Sequence, residues 1–123
     1  MKKYTDVKLI NYENQEVVLS MSLGARETMS FQSIYRELTN TKETLTQALA
    51  KLNDGDVDVI LALASACLHS KHKNGVTSKQ PIGFDKFDDE FPLFQNIDAL
   101  MAGFEIVMGD LNVESDKNDS VGK

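Results

Sequence analysis

Asp56-Val57-Asp58-Val59-Ile60-Leu61-Ala62-Leu63-Ala64-Ser65-Ala66-Cys67-Leu68-His69-Ser70 is the stretch on which the fold class turns. Ten of these fifteen residues are apolar, and Val57, Ile60, Leu61, Ala64 and Leu68 keep helical spacing along one stripe. Asp54, Asp56 and Asp58 stand where carboxylates meet the partial positive charge of a helix N-terminus. The pattern predicts a helix over 56–70, covered on most sides and central to the core. Its longest apolar run, Val59 to Ala64, is six residues, far below the ~20 that cross a bilayer.

Toward the N-terminus the period shortens. Thr5 to Leu9 alternate weakly, and Val17, Leu19, Met21 and Leu23 alternate cleanly with Val18, Ser20, Ser22 and Gly24, a period of two. Between them Asn11-Tyr12-Glu13-Asn14-Gln15 is rich in turn formers, so a β-hairpin is expected over about residues 5–24. Two strands alone are marginal in water, and the helices that follow are the expected cover. Phe31, Ile34, Tyr35 and Leu38 predict a first helix over about 30–39, with Ser30 as N-cap. Asn40 and Glu43 stand like a capping box before Leu45, Ala48, Leu49 and Leu52, a short second helix stopped by Asn53-Asp54-Gly55.

Toward the C-terminus, Lys71 to Gly83 contains Asn74-Gly75, Pro81 and Gly83 without apolar periodicity, and is expected to be a surface loop. Phe84 to Phe91 suits a helical turn or two. Pro92 suits the first turn of a last helix, where Phe94, Ile97, Leu100, Met101, Phe104, Val107, Met108 and Leu111 keep helical spacing. Asn112 to Lys123 is polar and short of aliphatics. The expected fold is mainly α: an N-terminal β-hairpin followed by a small bundle of four to five helices, a single α-rich domain over 1–111, and a flexible C-terminal tail over 112–123.

The chain has 123 residues with 13 Lys and Arg against 19 Asp and Glu, a net charge of -6 and a sequence pI near 4.8. Such a balance opposes binding to the polyanionic backbone of nucleic acid. The loop lysines Lys71, Lys73 and Lys79 lack aromatic and Arg partners, and are read as a solvated loop. Cys67 is the one cysteine, which excludes an intrachain disulfide and a multi-cysteine zinc site, and points to a reducing compartment. With no apolar signal region after the charged N-terminus, the expected location is the cytoplasm, and Asn118-Asp119-Ser120 is then a sequon without consequence.

Each group with chemical potential has a plainer reading. Asp54-Gly55-Asp56-Val57-Asp58 begins like a calcium loop, but Val59 and Ser65 stand where Gly and Glu are needed, and helix capping is the better account. Cys67 and His69 point away from each other on a helix, so a buried structural cysteine beside exposed histidines is preferred to a metal site. There is no G-x-S-x-G, glycine-rich phosphate loop or H-E-x-x-H. Asp85, Asp88, Asp89 and Glu90 read as a solvated face. No catalytic residue, metal or cofactor is expected, and the protein is not expected to be an enzyme. Five of the six phenylalanines, Phe84, Phe87, Phe91, Phe94 and Phe104, lie within twenty-one residues. Phe84, Phe87, Phe91 and Phe94 are the candidate partner-binding residues, against the alternative of ordinary core. Phe87 and Phe91, flanked by acids, are the best candidates for the exposed minority.

The order of parts carries a resemblance. The hairpin is followed by Phe31-Gln32-Ser33-Ile34-Tyr35-Arg36-Glu37-Leu38, then by Leu45-Thr46-Gln47-Ala48-Leu49-Ala50-Lys51-Leu52-Asn53-Asp54-Gly55-Asp56-Val57, leading into an alanine- and leucine-rich helix. Over about residues 5–111 this resembles the tail assembly chaperones of long-tailed bacteriophages, particularly those of Gram-positive hosts. The resemblance implies a protein of the host cytoplasm, absent from the mature virion, that binds the tape measure protein and recruits tail tube subunits, the major tail protein. It also implies a possible homo-oligomer and commonly a longer form made by ribosomal frameshift. That no nucleic-acid or membrane partner is expected follows from the acidic balance and the short apolar runs. The alternative is a small phage or plasmid regulatory adaptor that binds a host protein.

Overall fold

A computed structural model describes residues 3–72 and 74–109 in full, with the last helix traced to Gly122. The flexible tail expected over 112–123 lies outside the fully described residues. The elements in chain order are β1 (Thr5–Ile10), β2 (Glu16–Met21), α1 (Ala25–Thr39), α2 (Leu45–Leu52), α3 (Val57–Cys67), β3 (Leu68–Lys71), β4 (Thr77–Pro81), α4 (Gly83–Glu90) and α5 (Leu93–Gly122).

The expected hairpin forms. β1 and β2 pair antiparallel from Thr5↔Met21 to Ile10↔Glu16. Asn11 shapes the turn: its Oδ1 accepts from the backbone N–H groups of Glu13 (3.0 Å) and Gln15 (2.9 Å), an Asx arrangement that fixes the reversal.

The mainly α expectation is corrected: the chain is α+β, with a four-stranded antiparallel sheet in the order β1-β2-β3-β4. The helix expected over 56–70 stops at Cys67, and Leu68 turns extended (φ -87, ψ 137). Leu68 keeps the helical stripe in the sequence, yet here it pairs with Met21 as His69 pairs with Ser20. The free edge of β2 supplies backbone partners that outweigh another helical turn, and Leu68 is fully buried regardless. Nor is 71–83 a loop throughout. β4 pairs with β3 at His69↔Pro81 and Lys71↔Thr77, across an irregularity. The reversal uses Gly75 at φ +83, with bonds from Gly75 N–H to the His72 carbonyl and from His72 N–H to the Val76 carbonyl, both 2.8 Å. Asn74-Gly75 is thus a hairpin signal rather than a loop signal.

Helix boundaries differ in informative ways. α1 starts five residues before the expected Ser30, with Gly24 as N-cap; Glu27 Oε1 accepts the Gly24 N–H at 2.8 Å. Asn40 ends α1 in the left-handed conformation (φ 57), so it does not open α2. The capping box of α2 is Thr44 with Gln47: Gln47 N–H donates to Thr44 Oγ1 (3.3 Å) and Thr44 N–H to Gln47 Oε1 (2.9 Å). Lys51 then ties α2 down, its Nζ donating to Glu43 Oε1 at 2.6 Å and Tyr35 Oη at 3.4 Å. The Glu43 bond first, then the Tyr35 hydroxyl, hold this ammonium above its usual range. Asp56 caps α3 as expected, accepting from Val59 N–H at 3.2 Å.

α3 is central, packing against α1, α2 and α4, while α5 crosses β1. Gly103 permits that crossing, since a Cβ there would lie 2.9 Å from Met21 Sδ and 3.0 Å from Val7 Cγ2. A second tie is Asn96, 2% exposed. Its Oδ1 accepts from Ile10 N–H (2.7 Å), and its Nδ2 donates to the carbonyls of Ile10 (2.9 Å) and Pro92 (2.7 Å). The carboxamide so completes both backbone groups at the end of β1. Asn96→Ala is expected to lower unfolding free energy by about 2 kcal/mol, since it strands these partners; urea titration followed by circular dichroism reads it.

Candidate interaction groove

The aromatic segment enters the fold through α4. Phe87 and Phe91 are four apart, and Phe91 N–H closes the helix on the Phe87 carbonyl at 3.0 Å. That spacing puts both rings on one side, with centroids 5.8 Å apart and planes tilted by 32°. Phe91 is extended (φ -127, ψ 123), as a residue before proline prefers. α4 therefore ends before Phe91-Pro92 and α5 starts at Leu93, leaving Phe94 on its first turn.

This geometry reassigns the candidate residues. Phe87 and Phe91, expected to be the exposed pair, are 0% and 2% exposed, whereas Phe94 is 76% exposed. Acidic neighbours misled the expectation: Asp88, Asp89 and Glu90 are exposed, yet the rings of Phe87 and Phe91 that flank them are buried, because consecutive residues on a helix point in different directions. Phe84 is half-buried.

Phe87, Phe91 and Phe94 line one open cavity of about 490 Å³, together with Leu93, Val57 and Leu61 of α3, and Tyr12 of the β1–β2 turn. Phe84 is not among the lining residues. Tyr12 is held in place by its backbone, whose N–H donates to the Glu90 carbonyl at 3.1 Å. The buried rings form the floor, and Phe94, Tyr12 (63% exposed) and Val57 (41% exposed) form the lip. Tyr12, Val57 and Leu61 were missed in the sequence. An aromatic residue amid a polar turn was the one hint at Tyr12, and Val57 was assigned to the core stripe of α3.

The expected chemistry around Cys67 also changes. Cys67 is buried, as expected, but His69 is fully buried on β3 rather than exposed beside a helix end. His69 Nε2 lies 2.8 Å from Glu27 Oε2, and Nδ1 lies 2.8 Å from the Ser78 carbonyl oxygen. His72 is exposed. Among the described residues no group of three or more His, Cys, Asp or Glu side chains is placed to hold a metal ion. Lys71 pairs with Asp6 at 3.1 Å, and Lys73 lies outside the described residues. No helix among the described residues is long and apolar enough to cross a membrane.

No protein-family model matches the chain, and neither a curated protein nor a solved structure matches it.

Proposed function

We propose that the chain is a binding protein that shelters an apolar segment of another polypeptide in this groove, and that it serves as a phage tail assembly chaperone acting on the tape measure protein. The observation that carries the reading is convergence. Of the seven large apolar side chains exposed among the described residues, three, Tyr12, Val57 and Phe94, surround the one cavity whose floor is Phe87 and Phe91. Scattered exposed apolar residues are ordinary, but aromatic residues gathered over a hollow make a docking site. The resemblance in helix order supplies the partner, a tape measure protein, and the further step of recruiting tail tube subunits in the host cytoplasm.

Co-expression tests it. The chain is expected to keep a tape measure protein in the soluble fraction, and Phe94→Ser to reduce that fraction while leaving stability within about 0.5 kcal/mol, because the side chain is solvent-exposed. A tape measure protein that precipitates equally with and without the chain sinks the proposal.

A further inference from the structure

We infer that the groove selects a helical segment of a separate polypeptide whose apolar anchors are flanked by lysine or arginine. The inference rests on the groove reading above and adds the charge of its occupant. Beside the apolar cavity lies a second hollow of about 310 Å³ that shares Tyr12 and is otherwise lined by Asn11, Glu13, Asp89 and Glu90. Asp88 lines the apolar cavity itself. No residue lining either hollow is basic. Four carboxylates thus stand along one side of the groove, and all four residues are exposed.

The nearby cation Lys86 does not cancel them. Its Nζ donates to Ser70 Oγ at 3.1 Å and lies 3.9 Å from Glu90 Oε2, leaving Glu13, Asp88 and Asp89 without it. Carboxylates so close together repel one another, and a cation arriving between them is favoured over an anion. A helical segment suits both parts. Anchors at i, i+3 and i+4 share a face that can sit over Phe87 and Phe91, and a long basic side chain flanking them lies toward the acidic hollow, because the two hollows adjoin at Tyr12. An acidic flank would meet repulsion at the same place.

The test uses two dye-labelled synthetic helices with identical leucine faces, one carrying lysines on the flank and the other glutamates, read by fluorescence anisotropy on the full chain. At low salt the lysine peptide is expected to bind about tenfold tighter, with the ratio falling to about twofold near 0.5 M salt as screening shortens the reach of surface charge. Asp88→Asn with Asp89→Asn is expected to narrow the ratio, and Phe94→Ser to weaken both peptides. Equal affinities that Phe94→Ser still lowers overturn the charge selection and leave the groove reading standing. No binding by either peptide, or binding indifferent to Phe94→Ser, overturns both. Concentration-dependent self-association of the chain that Phe94→Ser abolishes also overturns the inference, because the occupant is then a second copy.

Discussion

Glu27→Ala is expected to lower the free energy of unfolding by about 3–5 kcal/mol, the cost of stranding a fully buried hydrogen-bonded partner together with the loss of a helix cap, with a fall in Tm of roughly 10–20 °C. Both partners are fully buried. The Ser78 carbonyl has no hydrogen to give, so His69 Nδ1 must carry one and donate it over their 2.8 Å contact. The 2.8 Å contact between His69 Nε2 and Glu27 Oε2 holds a single further proton. Wherever that proton sits, the two side chains together carry no net charge, which is how an acid and an imidazole can share a dry interior. The pair also joins elements distant in sequence: Glu27 is in the first turn of α1, where its Oε1 accepts the Gly24 N–H, and His69 ties β3 to β4. Its ring further meets Tyr4 edge-on, with centroids 5.5 Å apart. Alanine at 27 removes the carboxylate from Nε2, leaves Ser22 Oγ at 3.5 Å as a weak substitute, and strips the α1 cap. Glu27→Gln keeps an acceptor for Gly24 and a donor for Nε2, so its cost is expected to be about 1 kcal/mol. Urea denaturation of both variants reads the difference. An alanine variant within about 1 kcal/mol of the parent would show that the pair contributes nothing net to the fold.

That pair also marks the limit of what local sequence reveals. Alternation from Val17 to Leu23 was sufficient to place β1 and β2, and the stripes Val57, Ile60, Leu61, Ala64 and Phe94 to Met108 sufficed to place α3 and α5. Burial does not follow every member: Val57 and Phe94 head their stripes and are exposed, and Ser20 and Ser22 are buried. β3 and β4 announce no such pattern. Lys79 and Gln80 are exposed within a strand, so β4 exists through backbone pairing to β3, and β3 through pairing to β2. Strands whose stability is borrowed from a neighbour leave no apolar period, and Asn74-Gly75 was their one legible trace. His69 followed the same logic: a histidine after a helical stripe looks solvated until Glu27, forty-two positions away, is brought against it. At the groove the phenylalanine cluster was legible, but its division into floor and lip was not. That division depends on the break between α4 and α5 at Phe91-Pro92 and on Tyr12 arriving from the hairpin, both consequences of tertiary packing.

Phe87→Ala is the second large expected effect, a loss of about 3–5 kcal/mol, since truncating a fully buried phenylalanine removes its transfer free energy and leaves a void. Phe87 is 0% exposed and packs on Phe91 at 5.8 Å, so water in the groove above does not already solvate it. The urea midpoint should fall with the slope unchanged, the signature of lost packing rather than a changed unfolded state. Phe87→Leu keeps most of the volume and should cost less than about 1.5 kcal/mol. The floor and the lip then separate by crossed readouts. Phe87→Leu should weaken peptide binding by about twofold at most while measurably lowering stability, and Phe94→Ser should weaken binding by about tenfold while leaving stability nearly unchanged, as for an exposed anchor at an interface. A Phe87→Ala protein that loses under about 1 kcal/mol would mean the ring is not the packed base of the groove. In that case the lip residues would have no rigid surface behind them, and exposed Phe94 alone would be too mobile to hold a partner's side chain in register.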